Sequence, residues 1–68
     1  MIVRVQYTRL TPAGPSPQCT HYDVESMPEK WKIVQHLKST GMKSDESSFV
    51  IEEIDERPAD QQVYKIKF

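Results

Sequence analysis

The stretch QCTHYD, residues 18–23, comes closer than any other part of this chain to a catalytic or metal-binding pattern. It holds the only cysteine and one of the two histidines, and an aspartate closes it. Cys19, His21 and Asp23 alternate, so on a β-strand all three side chains project from one face. Such a set could supply a thiolate nucleophile with its base, or ligands for a zinc ion.

The spacing of these residues argues against both kinds of site. Residues two apart on a strand are separated by about 6.6–6.8 Å, whereas a nucleophile and its base must come within about 2.6–3.2 Å. Structural zinc needs four ligands, and His36 falls on a predicted helix over the opposite face of the sheet. We therefore predict that Cys19, His21 and Asp23 are the solvent-facing side of a strand. The sequence indicates no enzyme, no catalytic residue, no metal site and no cofactor.

Length and composition limit the class of protein. The 68 residues predict a single domain, 1–68, and their 37% hydrophobic and 28% charged content excludes a disordered chain and a membrane span. The N-terminus has no targeting pattern, and one cysteine cannot form an internal disulfide, which together favour a cytoplasmic protein. So small a core must depend on apolar packing, on oligomerisation or on a partner.

Two strands are predicted in the first third of the chain. Residues 2–10 alternate apolar and polar side chains, and residues 18–25 do the same. Residues 11–17 contain three prolines and a glycine, so we expect a connection that stays outside the sheet. The side chains predicted to face the core are Val3, Val5, Tyr7, Thr20, Tyr22 and Val24.

A helix is predicted to follow, beginning at the segment SMPE, residues 26–29. Ser26 and Glu29 have the spacing of a capping box, and Pro28 is tolerated in a first helical turn. Gly41 is placed to end the helix after Thr40. The predicted apolar stripe, which assigns the single tryptophan to the core, consists of Met27, Trp31, Ile33, Val34 and Leu37.

The last third predicts a hairpin of two strands, FVIEEI (49–54) and VYKIKF (63–68), around a turn at 57–60. The register centred on that turn pairs Ile51 with Ile66 and Glu52 with Lys65, and a shift by two preserves the same faces. The predicted fold class is α+β in two layers, with the order ββαββ. One helix covers one face of a four-stranded, mainly antiparallel sheet.

Charge is distributed unevenly along the chain and suggests a binding surface. Residues 1–43 carry six basic and three acidic residues, whereas residues 44–68 carry three basic and seven acidic ones. The acidic residues could be a solvated edge or a docking surface for a basic partner. The apolar residues beside them could be scattered surface positions or an interaction patch. The predicted partner-binding residues are Val50, Glu52, Glu53, Ile54, Asp55, Glu56, Val63, Lys65 and Lys67.

The layout of residues 18–56, THYDVESMPEKWKIVQHL followed by SSFVIEEIDE, resembles that of small phage-encoded proteins that block host machinery. Some anti-CRISPR proteins and phage inhibitors of RNA polymerase are of this kind. The resemblance implies non-catalytic binding to a larger host complex. We therefore predict an interaction module that acts as an inhibitor or accessory protein. The alternative is a homodimeric structural or regulatory module. The charge balance disfavours nucleic acid as a partner.

Overall fold

The computed structural model describes all 68 residues and contains one helix and four strands. Their bounds are β1 Ile2–Thr11, β2 Gly14–Asp23, α1 Lys30–Ser39, β3 Ser44–Ile54 and β4 Val63–Lys65. The strands form one mixed sheet in the order β3-β1-β2-β4, in which β1 is antiparallel to β2 and β3, and β4 is parallel to β2. The protein is thus a small α+β domain with a largely antiparallel sheet.

The strands β1 and β2 form a hairpin that includes most of the proline-rich segment. The ladder runs from Ile2 opposite Asp23 to Thr11 opposite Gly14, so the expectation that residues 11–17 lie outside the sheet is wrong for all but Pro12 and Ala13. The Leu10 N–H donates to the Lys43 carbonyl, 2.9 Å away, so even-numbered residues of β1 direct their backbone groups toward β3. Pro15 and Pro17 pair with even-numbered residues, so their nitrogens face the free edge of β2 and no ladder hydrogen bond is lost.

The helix begins later than the sequence predicts. Its first residue is Lys30, and Glu29 precedes it without a capping hydrogen bond from its side chain, so the predicted capping box does not form. The end is as predicted, because Gly41 has a φ of 81° and its N–H donates to the Lys38 carbonyl.

The buried stripe of α1 does not include the tryptophan. Ile33, Val34 and Leu37 are buried, whereas the Trp31 side chain is 58% exposed and Met27 is 45% exposed. With 3.6 residues per turn, Trp31 lies roughly a third of a turn from the centre of this stripe. The prediction that Trp31 fills the core is therefore wrong, and Met27 precedes the helix altogether.

The core lies between the helix and one face of the central strands. The predicted inward positions of β1 and the end of β2 are confirmed. Phe49 extends the core onto β3, where its ring stacks on Tyr7 with centroids 4.9 Å apart. The buried cluster consists of Val3, Val5, Tyr7, Tyr22, Val24, Ile33 and Leu37.

The predicted C-terminal hairpin does not form. β3 pairs with β1, where Arg4 lies opposite Glu52, and β4 pairs with β2 at the other edge of the sheet. Residues 55–62 can span up to about 26–29 Å, which exceeds the roughly 14 Å across three strand spacings. They can therefore cross the sheet instead of turning back. The pairings of Ile51 with Ile66 and of Glu52 with Lys65 are thus wrong.

The residues after β4 return to the core. Ile66 and Phe68 lie outside the strand but pack against the buried cluster, as their predicted inward direction requires. The Phe68 ring meets Tyr22 edge-on at 5.5 Å between centroids. The C-terminal tail is therefore part of the packed layer beside the helix.

Candidate protein-interaction surface

The outer edge of β3 presents unpaired backbone groups. β3 is the edge strand of the sheet, and its regular pairing joins Val50 to Gln6 and Glu52 to Arg4. Backbone groups alternate in direction along an antiparallel strand, and those of Val50 and Glu52 face β1. The N–H and C=O groups of Ile51 and Glu53 consequently point away from the sheet.

The first part of β3 does not pair regularly with β1, and some of its residues form hydrogen bonds with one another. The register against β1 shifts between Gln6 and Thr8, and the Thr8 N–H donates to the Ser48 hydroxyl at 2.8 Å. Ser47 donates to the Asp45 carboxylate from its hydroxyl at 2.7 Å and from its backbone N–H at 3.1 Å. These two hydrogen bonds lower the pKa of Asp45. The regularly paired part of the open edge is therefore Val50–Ile54, and Phe49 directly precedes it.

Four exposed carboxylates lie along this edge or in the connection after it. Only one of them, Glu52, has a basic partner in the protein, because the Arg4 guanidinium donates to it at 2.5 Å. The neighbouring Arg57 reaches toward Asp23 instead, at 3.8 Å. We call this set the acidic strip, and it consists of Glu52, Glu53, Asp55 and Glu56.

The structure divides the predicted partner-binding residues between two edges of the sheet. Val50 and Ile54 lie on β3 with the acidic strip, and Val50 is 46% exposed. Val63 and Lys65 lie on β4, so β1 and β2 separate them from β3. Lys67 follows β4 in the C-terminal tail. The nine residues therefore do not form one continuous patch.

A second surface feature was missed by the sequence patterns. A cleft of about 450 Å³ opens between the C-terminal half of α1 and strands β2 and β4. Burial, with smaller contributions from Tyr7 and Tyr64, raises the pKa of Tyr22 to about 12. Alternation along the strands places Tyr7 and Tyr22 on the inner face of the sheet. They lie beside a cleft because β4 and the helix are both short. Its aromatic and sulfur-containing lining residues are Tyr7, Tyr22, His36, Met42 and Tyr64.

The opening set of Cys19, His21 and Asp23 occupies one face of β2, as predicted from their alternation. The prediction that all three face solvent is wrong for His21, which is only 5% exposed and has Arg4 and Val63 opposite it on the two neighbouring strands. Cys19 is exposed. No group of three or more His, Cys, Asp or Glu side chains is arranged to hold a metal ion.

Comparison of the chain with protein-family models, curated proteins and solved structures finds no match. The ten-residue α1 is the one helix of the structure, and it is too short and too polar to cross a membrane.

Proposed function

We propose that this chain is a non-catalytic protein-interaction module that binds a basic surface of a larger partner through the acidic strip. The observation that carries the proposal is the lack of internal partners for Glu53, Asp55 and Glu56, which are exposed and form no salt bridge. Such carboxylates can pair with lysine or arginine of a partner without first breaking an ion pair of their own.

Charge of this kind acts mainly on encounter and specificity. Residues 44–60 carry seven acidic residues and one basic residue, a net charge of −6 within 17 residues of a 68-residue protein. Such a field increases the association rate with a basic surface and repels acidic ones. Each exposed ion pair contributes only about 0.2–1 kcal/mol, so affinity also requires burial of apolar surface. Val50 and Ile54 beside the acidic strip supply apolar surface for that purpose.

The size of the protein fits a role in which it occupies part of a larger molecule. A standard interface buries about 800 Å² on each partner. The accessible surface of this protein is 4827 Å², so one such interface would cover about a sixth of it. Binding of this extent can block a site on a larger cytoplasmic complex. The inhibitory form of the proposal follows from the resemblance of the layout of residues 18–56 to that of small phage-encoded inhibitors.

The test compares two variants that change net charge by the same amount. The first replaces Glu53→Gln, Asp55→Asn and Glu56→Gln in the acidic strip. The control replaces Ala13→Lys, Ser26→Lys and Gln35→Lys, all at exposed positions outside β3 and its paired residues. Each protein is immobilised on a resin and incubated with bacterial extract at low and at moderate salt. The proteins that each resin retains are identified by mass spectrometry.

We expect one stoichiometric protein with a basic surface to be retained by the wild type and the control, and to be lost with the strip variant. Retention should also decrease as salt increases, because exposed charges are screened. Equal retention of the partner by the folded strip variant would contradict the proposal. Retained nucleic acid instead of a protein would contradict it as well.

A further inference from the structure

We propose that the open edge of β3, Phe49–Ile54, accepts an extended basic segment of the partner as a fifth strand of the sheet. This inference rests on the proposed function and adds the mode of recognition to it. Main-chain hydrogen bonds hold a peptide added to a sheet edge, and the alternating side chains give the specificity.

The backbone of β3 is suited to this role in a way that the other free edges are not. Ile51 and Glu53 direct their N–H and C=O groups outward, and β3 contains no proline. The free edge of β2 is interrupted by Pro15 and Pro17, and β4 has only three residues. Prolines and short strands are devices that prevent edge pairing. β3 is therefore the one free edge of more than three residues that no proline interrupts.

The charge of the acidic strip determines which kind of strand can pair with this edge. A second copy pairing edge to edge through β3 would bring two acidic strips together, and like charges across a strand pair are destabilising. The basic strand of a second copy is β4, which is too short to pair with all of Phe49–Ile54. A lysine- or arginine-containing segment of a different protein avoids both problems.

The side chains beside the edge indicate the composition of that segment. On one face an added strand would lie beside Val50, Glu52 and Ile54, and on the helix side beside Phe49, Ile51 and Glu53. Each face thus offers apolar side chains together with one carboxylate. The matching segment therefore combines β-branched or other apolar residues with lysine or arginine on both faces.

The experiment measures binding of a blocked synthetic peptide, Lys-Val-Val-Lys-Lys-Val-Val, which as a strand presents both valine and lysine on each face, by isothermal titration calorimetry. A second peptide has the same sequence but carries N-methyl groups on two consecutive central residues, which removes donors from both edges of the strand and leaves the charge unchanged. A third peptide replaces each lysine with glutamate. We expect the first to bind, the N-methylated peptide to bind at least tenfold more weakly, and the acidic peptide not to bind.

Two variants of the protein test the same contact from the other side. Glu53→Gln removes one charge and keeps the outward N–H, whereas Glu53→Pro also removes that N–H at an exposed edge position where proline is tolerated. We expect a few-fold loss for Glu53→Gln and a further loss of at least tenfold for Glu53→Pro. Circular dichroism confirms that both variants are folded.

The outcomes separate this inference from the proposed function. Equal binding of the lysine peptide and its N-methylated form would overturn strand addition while leaving docking by charge intact. Strand addition would likewise be overturned, and docking by charge left intact, if neither peptide bound but capture of the partner still depended on the acidic strip. Concentration-dependent self-association that Glu53→Pro abolishes would assign the edge to a second copy and overturn the inference. Loss of both peptide binding and strip-dependent capture would contradict the two proposals together.

Discussion

Tyr22 is the most tightly surrounded titratable residue of the helix-covered face. It is 4% exposed, and its ring has those of His36, Tyr64 and Phe68 within 6.3 Å between centroids. Burial is the largest cause of its raised pKa, because a phenolate in this environment loses its hydration. The packing around Tyr22 therefore affects how the stability of the protein changes at high pH.

The raised pKa predicts a loss of stability at high pH. The folded protein keeps the Tyr22 proton up to about pH 12, whereas the unfolded chain releases it near pH 10. The folded state thus binds more protons between these values, and the free energy of unfolding should fall there by up to about 2–3 kcal/mol. Urea unfolding from pH 9 to pH 12 should show this decrease in the wild type and a smaller one in Tyr22→Phe. Identical decreases in both proteins would contradict the assignment.

The exposed tryptophan predicts an unusual order of mutational costs in the helix. Trp31 is 58% exposed, with its indole N–H donating to Glu29, whereas Ile33 is fully buried. Trp31→Ala should change the free energy of unfolding by less than about 1 kcal/mol, and Ile33→Ala should cost about 2–5 kcal/mol. Denaturant unfolding of the two variants measures both values. A larger loss for Trp31→Ala than for Ile33→Ala would place the tryptophan in the core after all.

At the scale of elements, the sequence predicted which segments form strands better than it predicted how they pair. Alternation at Val3, Val5 and Tyr7 reports which side faces the core, since that depends only on the local geometry of a strand. The pairing of Arg4 with Glu52 joins residues 48 apart in sequence, and no local pattern encodes it. Likewise, the capping-box spacing placed Met27 in a helix that begins only at Lys30, and Trp31, at the margin of the apolar stripe, is covered only if the packed layer extends that far.

The prolines of β2 predict a change in self-association. Replacing Pro15→Thr and Pro17→Thr would restore two outward N–H groups on the free edge of β2 and remove a barrier to edge pairing. The double variant should sediment with a concentration-dependent increase in mass. The control Pro12→Thr lies in the turn outside the strands and should sediment as the wild type does. An unchanged profile for the double variant would show that these prolines do not protect the edge.

At the scale of the whole molecule, the uneven charge noted in the sequence becomes a property of one edge of the sheet. Sequence reasoning identified Glu52, Glu53, Asp55 and Glu56 as one set because they are close in the chain. It could not predict that Val63 and Lys65 lie on the opposite edge, because a crossing connection replaces the expected turn. The cleft beside Tyr22 was equally hidden, since it depends on how far a ten-residue helix covers the sheet.

Both proposals require that β3 is an unpartnered edge with alternating outward backbone groups. Amide hydrogen exchange of the isolated protein, measured by NMR at each residue, tests this directly. We expect slow exchange at Val50 and Glu52, whose N–H groups face β1, and fast exchange at Ile51 and Glu53, whose N–H groups face outward. Slow exchange at all four residues would show that another strand covers this edge and would contradict both the fold and the proposals built on it.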